Sequence, residues 1–126
     1  MKVIAIINMK GGCAKTTTAV NMAHILATDY RKTVLVIDND KQGNLSKACG
    51  VWSYDKPSLA DVLTGERGIK ETIQETNTAL LNAIPANMHL LTANLAVIKD
   101  EEIDQATILK DALEEVAGSY PPSSAR

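Results

Sequence analysis

The residues most capable of chemistry lie near the N-terminus, in Lys10-Gly11-Gly12-Cys13-Ala14-Lys15-Thr16-Thr17. Gly11 and Gly12 reach backbone conformations closed to other residues and let the main chain come close to a bound anion. Successive N–H groups in such a turn point inward as a nest for oxygen atoms. A helix opening near Lys15 adds roughly half a positive charge at its N-terminus, facing the same pocket. Lys15 then reaches the terminal phosphates of a nucleotide, Thr16 is placed to ligate Mg²⁺, and Thr17 donates to an α-phosphate oxygen. Ala14 stands where a glycine usually precedes this lysine, so a β-carbon faces the phosphates and lowers affinity modestly. Cys13, beside a helix N-terminus, reads either as an oxidation-sensitive thiolate or as a small apolar filler.

A second polar stretch, Asp38-Asn39-Asp40-Lys41-Gln42-Gly43-Asn44, follows the apolar run Val34-Leu35-Val36-Ile37. If this run and the apolar run Val3-Ile4-Ala5-Ile6-Ile7 before the glycine turn belong to one parallel sheet, this loop emerges at the same edge as that turn. An acidic loop after a strand also reads as simple solvation, and only its pairing with the glycine turn favours a site.

Lys10 ahead of the glycine pair makes the first motif resemble the deviant Walker A sequence of the ParA, MinD and nitrogenase iron-protein ATPases. The second resembles the acidic loop of ParA proteins, with Lys41 where the family has proline. The resemblance implies binding of ATP or ADP with Mg²⁺ by residues 10 to 17. It implies that Lys10 reaches a partner's phosphates across an ATP-dependent homodimer, that Asp38 joins Thr16 in the magnesium and γ-phosphate network, and that Asp40 positions the attacking water. Lys10, Lys15 and Asp40 would then carry a weak ATPase in plasmid or chromosome partitioning, with a centromere-binding ParB-type partner. Two other readings stand beside it: a non-catalytic nucleotide-binding module acting on a complete ParA-type subunit, and a MinD-like septum-positioning ATPase. The likeness continues more loosely through Gly50-Val51, the stretch from Leu59 to Gly65, and an Ala93-Asn94-Leu95 turn.

The elements needed to hold these residues are legible. Val3 to Ile7 is a short apolar run ending at the glycine turn, which predicts a strand buried on both faces. Ala19, Met22, Ala23 and Leu26 form one helical stripe on a helix ending near Tyr30. Val34 to Ile37 is the second strand, expected parallel to the first through a right-handed crossover. Pro57-Ser58-Leu59-Ala60-Asp61 predicts a capped helix closed by Gly65. Of two further strand candidates, Leu80 to Ile84 and Met88 to Leu91, the second is favoured. A last helix spans about Asp104 to Ala117.

The implied fold is α/β: a P-loop NTPase-like, mostly parallel sheet flanked by helices, truncated before the Walker B strand. Residues 1–118 form the nucleotide-binding domain and 119–126 an irregular tail, because Pro121 and Pro122 follow Tyr120 where the family continues into that strand. In related P-loop folds the Walker B strand sits beside the first one, so Val3 to Ile7 is expected to lack a neighbour.

Composition agrees with this class. The chain has 126 residues, 45% hydrophobic with 3% aromatic and no Phe, which points to an aliphatic core. A formal charge of −2 gives no overall attraction to nucleic acid or anionic membrane, so DNA binding by this segment and a membrane role are unsupported. Cys13 and Cys49 form neither a CxxC motif nor a disulfide framework, which fits a reducing cytoplasm, with nucleoid association implied for the complete protein. His24 and His89 read as packing or surface residues.

Overall fold

A computed structural model of the chain describes residues 1–7, 14–99 and 104–121. Helix α1 (Ala14–Thr28) leads to strand β1 (Val34–Ile37). Short helices α2 (Asn44–Ala48), α3 (Leu59–Thr64) and α4 (Ile69–Thr72) come next. They are followed by strands β2 (Gln74–Glu75) and β3 (Leu81–Ile84) and helices α5 (His89–Lys99) and α6 (Gln105–Val116). A 3₁₀ turn, Ala117–Ser119, follows.

The sheet has the order β1-β3-β2. β1 runs parallel to β3, with Val34 opposite Leu81 and Ile37 opposite Ile84, and β2 runs antiparallel to β3 on the far side. Both faces of β1 are covered. Val34 and Val36 pack with Ala23 and Ala27 of α1, whereas Leu35 and Ile37 join the larger cluster built on Leu59, Ile84, Leu90 and Val116. Period-two alternation divides the four aliphatic residues between two helical layers, which is why the run contains no polar residue.

The helix limits follow from local chemistry. The Asp61 carboxylate accepts the Ser58 N–H at 2.9 Å at the start of α3, and Gly65 closes it in the left-handed region at φ 78°. α1 stops at Thr28, two residues before the expected Tyr30.

Three expectations are corrected. Val3 to Ile7 is not a buried strand: Val3, Ile4 and Ile7 are 66%, 53% and 84% exposed, and the parallel neighbour of β1 is β3. An extended run is stable as a strand only where its backbone groups find a ladder, and a cleft of about 600 Å³ separates residues 1–7 from β1. The favoured strand at Met88 to Leu91 opens α5, while Leu81–Ile84 from the other candidate is the strand. Leu90, Ala93 and Val97 are buried at helical spacing, and the Asn87 side-chain oxygen accepts the His89 N–H at 3.0 Å, anchoring the first turn. Consequently Ala93-Asn94-Leu95 is helix and not a turn.

The final helix is where expected, at Gln105–Val116. Beyond it Tyr120 is buried, and its hydroxyl accepts a hydrogen bond from the Asn82 amide at 3.0 Å. Residues 122–126 of the expected tail lie outside the described residues.

Candidate functional site

Lys10, Gly11, Gly12 and Cys13 lie outside the described residues. Ala14, Lys15, Thr16 and Thr17 form the first turn of α1. That turn carries no acidic residue, so nothing on the helix offsets the positive end of its dipole. Lys15 makes no ion pair with a described residue. Lys15 and Thr16 are half-buried and line the cleft beside β1, whereas Thr17 is exposed and lies outside it.

The loop after β1 supplies the opposite charge. Asp38, Asn39, Asp40 and Asn44 line the same cleft as Lys15 and Thr16. Asp38 is 5% exposed and heavily hydrogen-bonded. Its Oδ1 accepts the Asp40 N–H at 3.2 Å, and its Oδ2 accepts both the N–H and the hydroxyl of Ser46, at 2.9 and 2.6 Å. A buried carboxylate is tolerable only with such compensation. The Ser46 oxygen in turn accepts the buried Ala86 N–H at 2.8 Å, which ties the end of β1, helix α2 and the segment after β3 together.

Asp40 is held differently. Its Oδ1 accepts the Gln42 N–H at 3.0 Å and its carbonyl accepts the Gly43 N–H at 2.8 Å, which folds the loop back on itself. Its Oδ2 has no hydrogen-bond partner among the described residues and remains open as an acceptor. Gly43 turns the chain at φ 67°, and a β-carbon there would lie 2.6 Å from Trp52 Cδ1. The glycine is therefore required twice, by its dihedral and by the indole against it.

Ser46 is the site residue that sequence reasoning missed, and Asn44, though inside the second quoted motif, was given no role. The available signal for Ser46 was a serine eight residues after Asp38, in the first turn of a helix. Cys49, also unassigned, is half-buried near this network. Burial, and then the negative charge of Asp38, push its thiol above the ordinary range.

One ammonium group, one hydroxyl, a helix N-terminus and two carboxylates thus line a single cleft. That donor set fits a polyphosphate with a hard divalent cation. A family model described as an AAA domain matches residues 1–121. This chain belongs to that family, as a ParA-type member. It is 37% identical over 120 residues to the sporulation initiation inhibitor protein Soj of Bacillus subtilis, covering 94% of this chain and 46% of Soj. Against the chromosome partitioning protein ParA of Myxococcus xanthus the identity is 34%, over 94% of this chain and 41% of that protein. The ParA-type chain thus spans about half the length of the curated relatives it matches. Among solved structures, cobyrinic acid a,c-diamide synthase from Mycobacterium smegmatis, with an ATP analogue and magnesium bound, superposes with a TM-score of 0.81 at 30% identity. The match covers 90% of this chain and 46% of that one. The mixed sheet of the ParA-type chain is consistent with part of such a P-loop fold. No helix among the described residues is long and apolar enough to cross a membrane.

Proposed function

We propose that this chain is the ATP-binding part of a chromosome- or plasmid-partitioning ATPase. The observation that carries the reading is that Lys15 and Thr16 from α1 and Asp38 and Asp40 from the loop after β1 line one cleft. In this reading Gly11, Gly12, Cys13 and Ala14 wrap the phosphates with main-chain N–H groups. Lys15 neutralises the terminal phosphates, and Thr17 contributes from the outer side of the first turn. Thr16 and Asp38 would hold Mg²⁺, which would supply neutralisation of phosphate charge when bound. Asp38 does this largely through its fixed position: Ser46 and the Asp40 N–H orient the carboxylate before a ligand arrives.

Asp40 is the residue that orients water. One oxygen is anchored to Gln42 and the other is open, the arrangement needed to hold a water molecule in line with a phosphorus atom. Lys10 completes the charge set in a second subunit, which makes nucleotide binding and dimerisation one process. A ParB-type partner and a position on the nucleoid belong to this reading at the level of the whole protein, as does slow turnover.

Isothermal titration of ATP with Mg²⁺ into the chain and its Lys15→Ala variant tests the site. The variant is expected to lose at least about tenfold in affinity, the scale of one charge-assisted contact to phosphate. Equal affinity in the two proteins would remove the nucleotide from this cleft.

A further inference from the structure

Asp40 carries the open carboxylate oxygen of the site, and its direction depends on a short turn. Residues 40–43 form that turn, closed by the Gly43 N–H on the Asp40 carbonyl at 2.8 Å. Among the described residues the Gln42 N–H is the one partner of the Asp40 carboxylate, at 3.0 Å, and it belongs to the same turn. If the turn opens, the carboxylate therefore loses its orientation. Lys41 and Gln42 at the tip are exposed, and neither residue type restricts the backbone as proline does.

The closing residue, Gly43, sits in a slot. A β-carbon on it would lie 2.6 and 2.9 Å from Trp52 Cδ1 and Nε1, and 3.1 Å from the Ala86 carbonyl oxygen. The Ala86 wall is main chain, fixed by its N–H on the buried Ser46 oxygen at 2.8 Å. The other wall is the Trp52 side chain, 38% exposed and anchored through both of its sequence neighbours. The Val51 N–H donates to the Ser46 carbonyl at 2.9 Å, and the buried Asn87 amide donates to the Ser53 carbonyl at 3.2 Å. The Tyr54 ring meets the indole edge to face at 6.3 Å, and the Lys47 ammonium lies 5.5 Å from the indole centroid. Ser46 also holds the Asp38 carboxylate, so Asp38 and the indole share one frame.

We propose that Trp52 is a positioning residue of this site: its ring keeps Gly43 in the slot, which keeps the turn closed and the Asp40 carboxylate in one orientation. Trp52 does not line the cleft, so its part is indirect. What Asp40 does with its orientation rests on the nucleotide reading; that it has one does not. A displacement of about 1 Å in a group that orients a reactant costs about a hundredfold in rate. The ring would thus act on turnover of the complete protein and not on its grip on phosphate.

The test needs no nucleotide. The 126-residue chain and its Trp52→Ala and Trp52→Phe variants are compared by NMR, through the three-bond Hα–Hβ couplings of Asp40 and the amide exchange of Gly43. In the unaltered chain the couplings are expected to report a single staggered rotamer. Trp52→Ala should average them and speed Gly43 exchange about tenfold, the scale of a lost ring contact. Exchange at Val34 and Ile108, whose N–H groups donate to the Leu80 and Asp104 carbonyls, should stay as it was. Trp52→Phe, which keeps a ring against Gly43, should restore both readouts. Averaged couplings in the unaltered chain, unchanged couplings in Trp52→Ala, or no rescue by phenylalanine each overturn the proposal. So does equal loosening at Val34 and Ile108, which would make the indole a support of the whole fold and not of the turn. Calorimetry on Lys15→Ala decides the nucleotide reading without touching these outcomes, so the two fail separately.

Discussion

Replacing Ser46 by alanine isolates the interaction that positions the central carboxylate of the site. Ser46 is 1% exposed, and its hydroxyl donates to Asp38 Oδ2 at 2.6 Å while accepting the Ala86 N–H at 2.8 Å. The truncation removes a hydrogen bond to an ionised group, worth about 1.5–3 kcal/mol, and orphans a buried N–H, which costs about 1–3 kcal/mol. Asp38 keeps the Ser46 and Asp40 N–H groups, since both come from the main chain. The expected loss is therefore about 3 kcal/mol, a large share of the roughly 5–15 kcal/mol typical of a domain. Urea unfolding followed by circular dichroism reads it directly: with a slope of about 2 kcal/mol/M the midpoint falls by about 1.5 M. A cycle with Asp38→Asn should give a coupling energy of about 1 kcal/mol or more, because the two side chains touch. A loss below about 1 kcal/mol, or additive single and double variants, would show that the Ser46 hydroxyl neither holds Asp38 nor satisfies Ala86.

Gly43→Ala places a methyl group 2.6 Å from the Trp52 ring at a φ of 67°. The left-handed conformation alone costs about 1–2 kcal/mol, so a lowered melting temperature is expected, along with altered Trp52 fluorescence as the indole gives way; an unchanged melt would disprove the contact. Cys49 should be alkylated more slowly in the folded chain than in the denatured one. Its thiol is pushed up by burial and by Asp38, which leaves less thiolate at any pH below the folded value. In a Cys13→Ser background, a rate-against-pH profile whose midpoint lies no higher when folded than when unfolded would contradict this.

The local signals proved reliable wherever the deciding interactions are local. Ser58, Asp61 and Gly65 bound a helix at the predicted place because a cap is settled within one turn. The last helix follows its apolar period for the same reason. Met88 to Leu91 misled because four apolar residues fit either period, and what decided was the burial of Ala93 and Val97 one and two turns later. Of the candidate site, Lys15, Thr16, Asp38 and Asp40 were named from spacing and family likeness, and they do line one cleft. Thr17 does not, because it faces away from the cleft on the first turn of α1.

By itself the sequence singled out the residues proposed for phosphate chemistry, since glycine freedom, a lysine at a helix start and paired carboxylates after a strand are properties of residue type and short spacing. It also determined that the strand cores are aliphatic. Tertiary structure alone decided which strands pair, because a ladder is made between segments far apart in sequence and β1 finds β3 rather than residues 3–7. It decided too that Ser46 stands behind Asp38 and that the Ser46 oxygen accepts the Ala86 N–H. Both depend on where distant backbone groups end up after packing, and no short spacing encodes that.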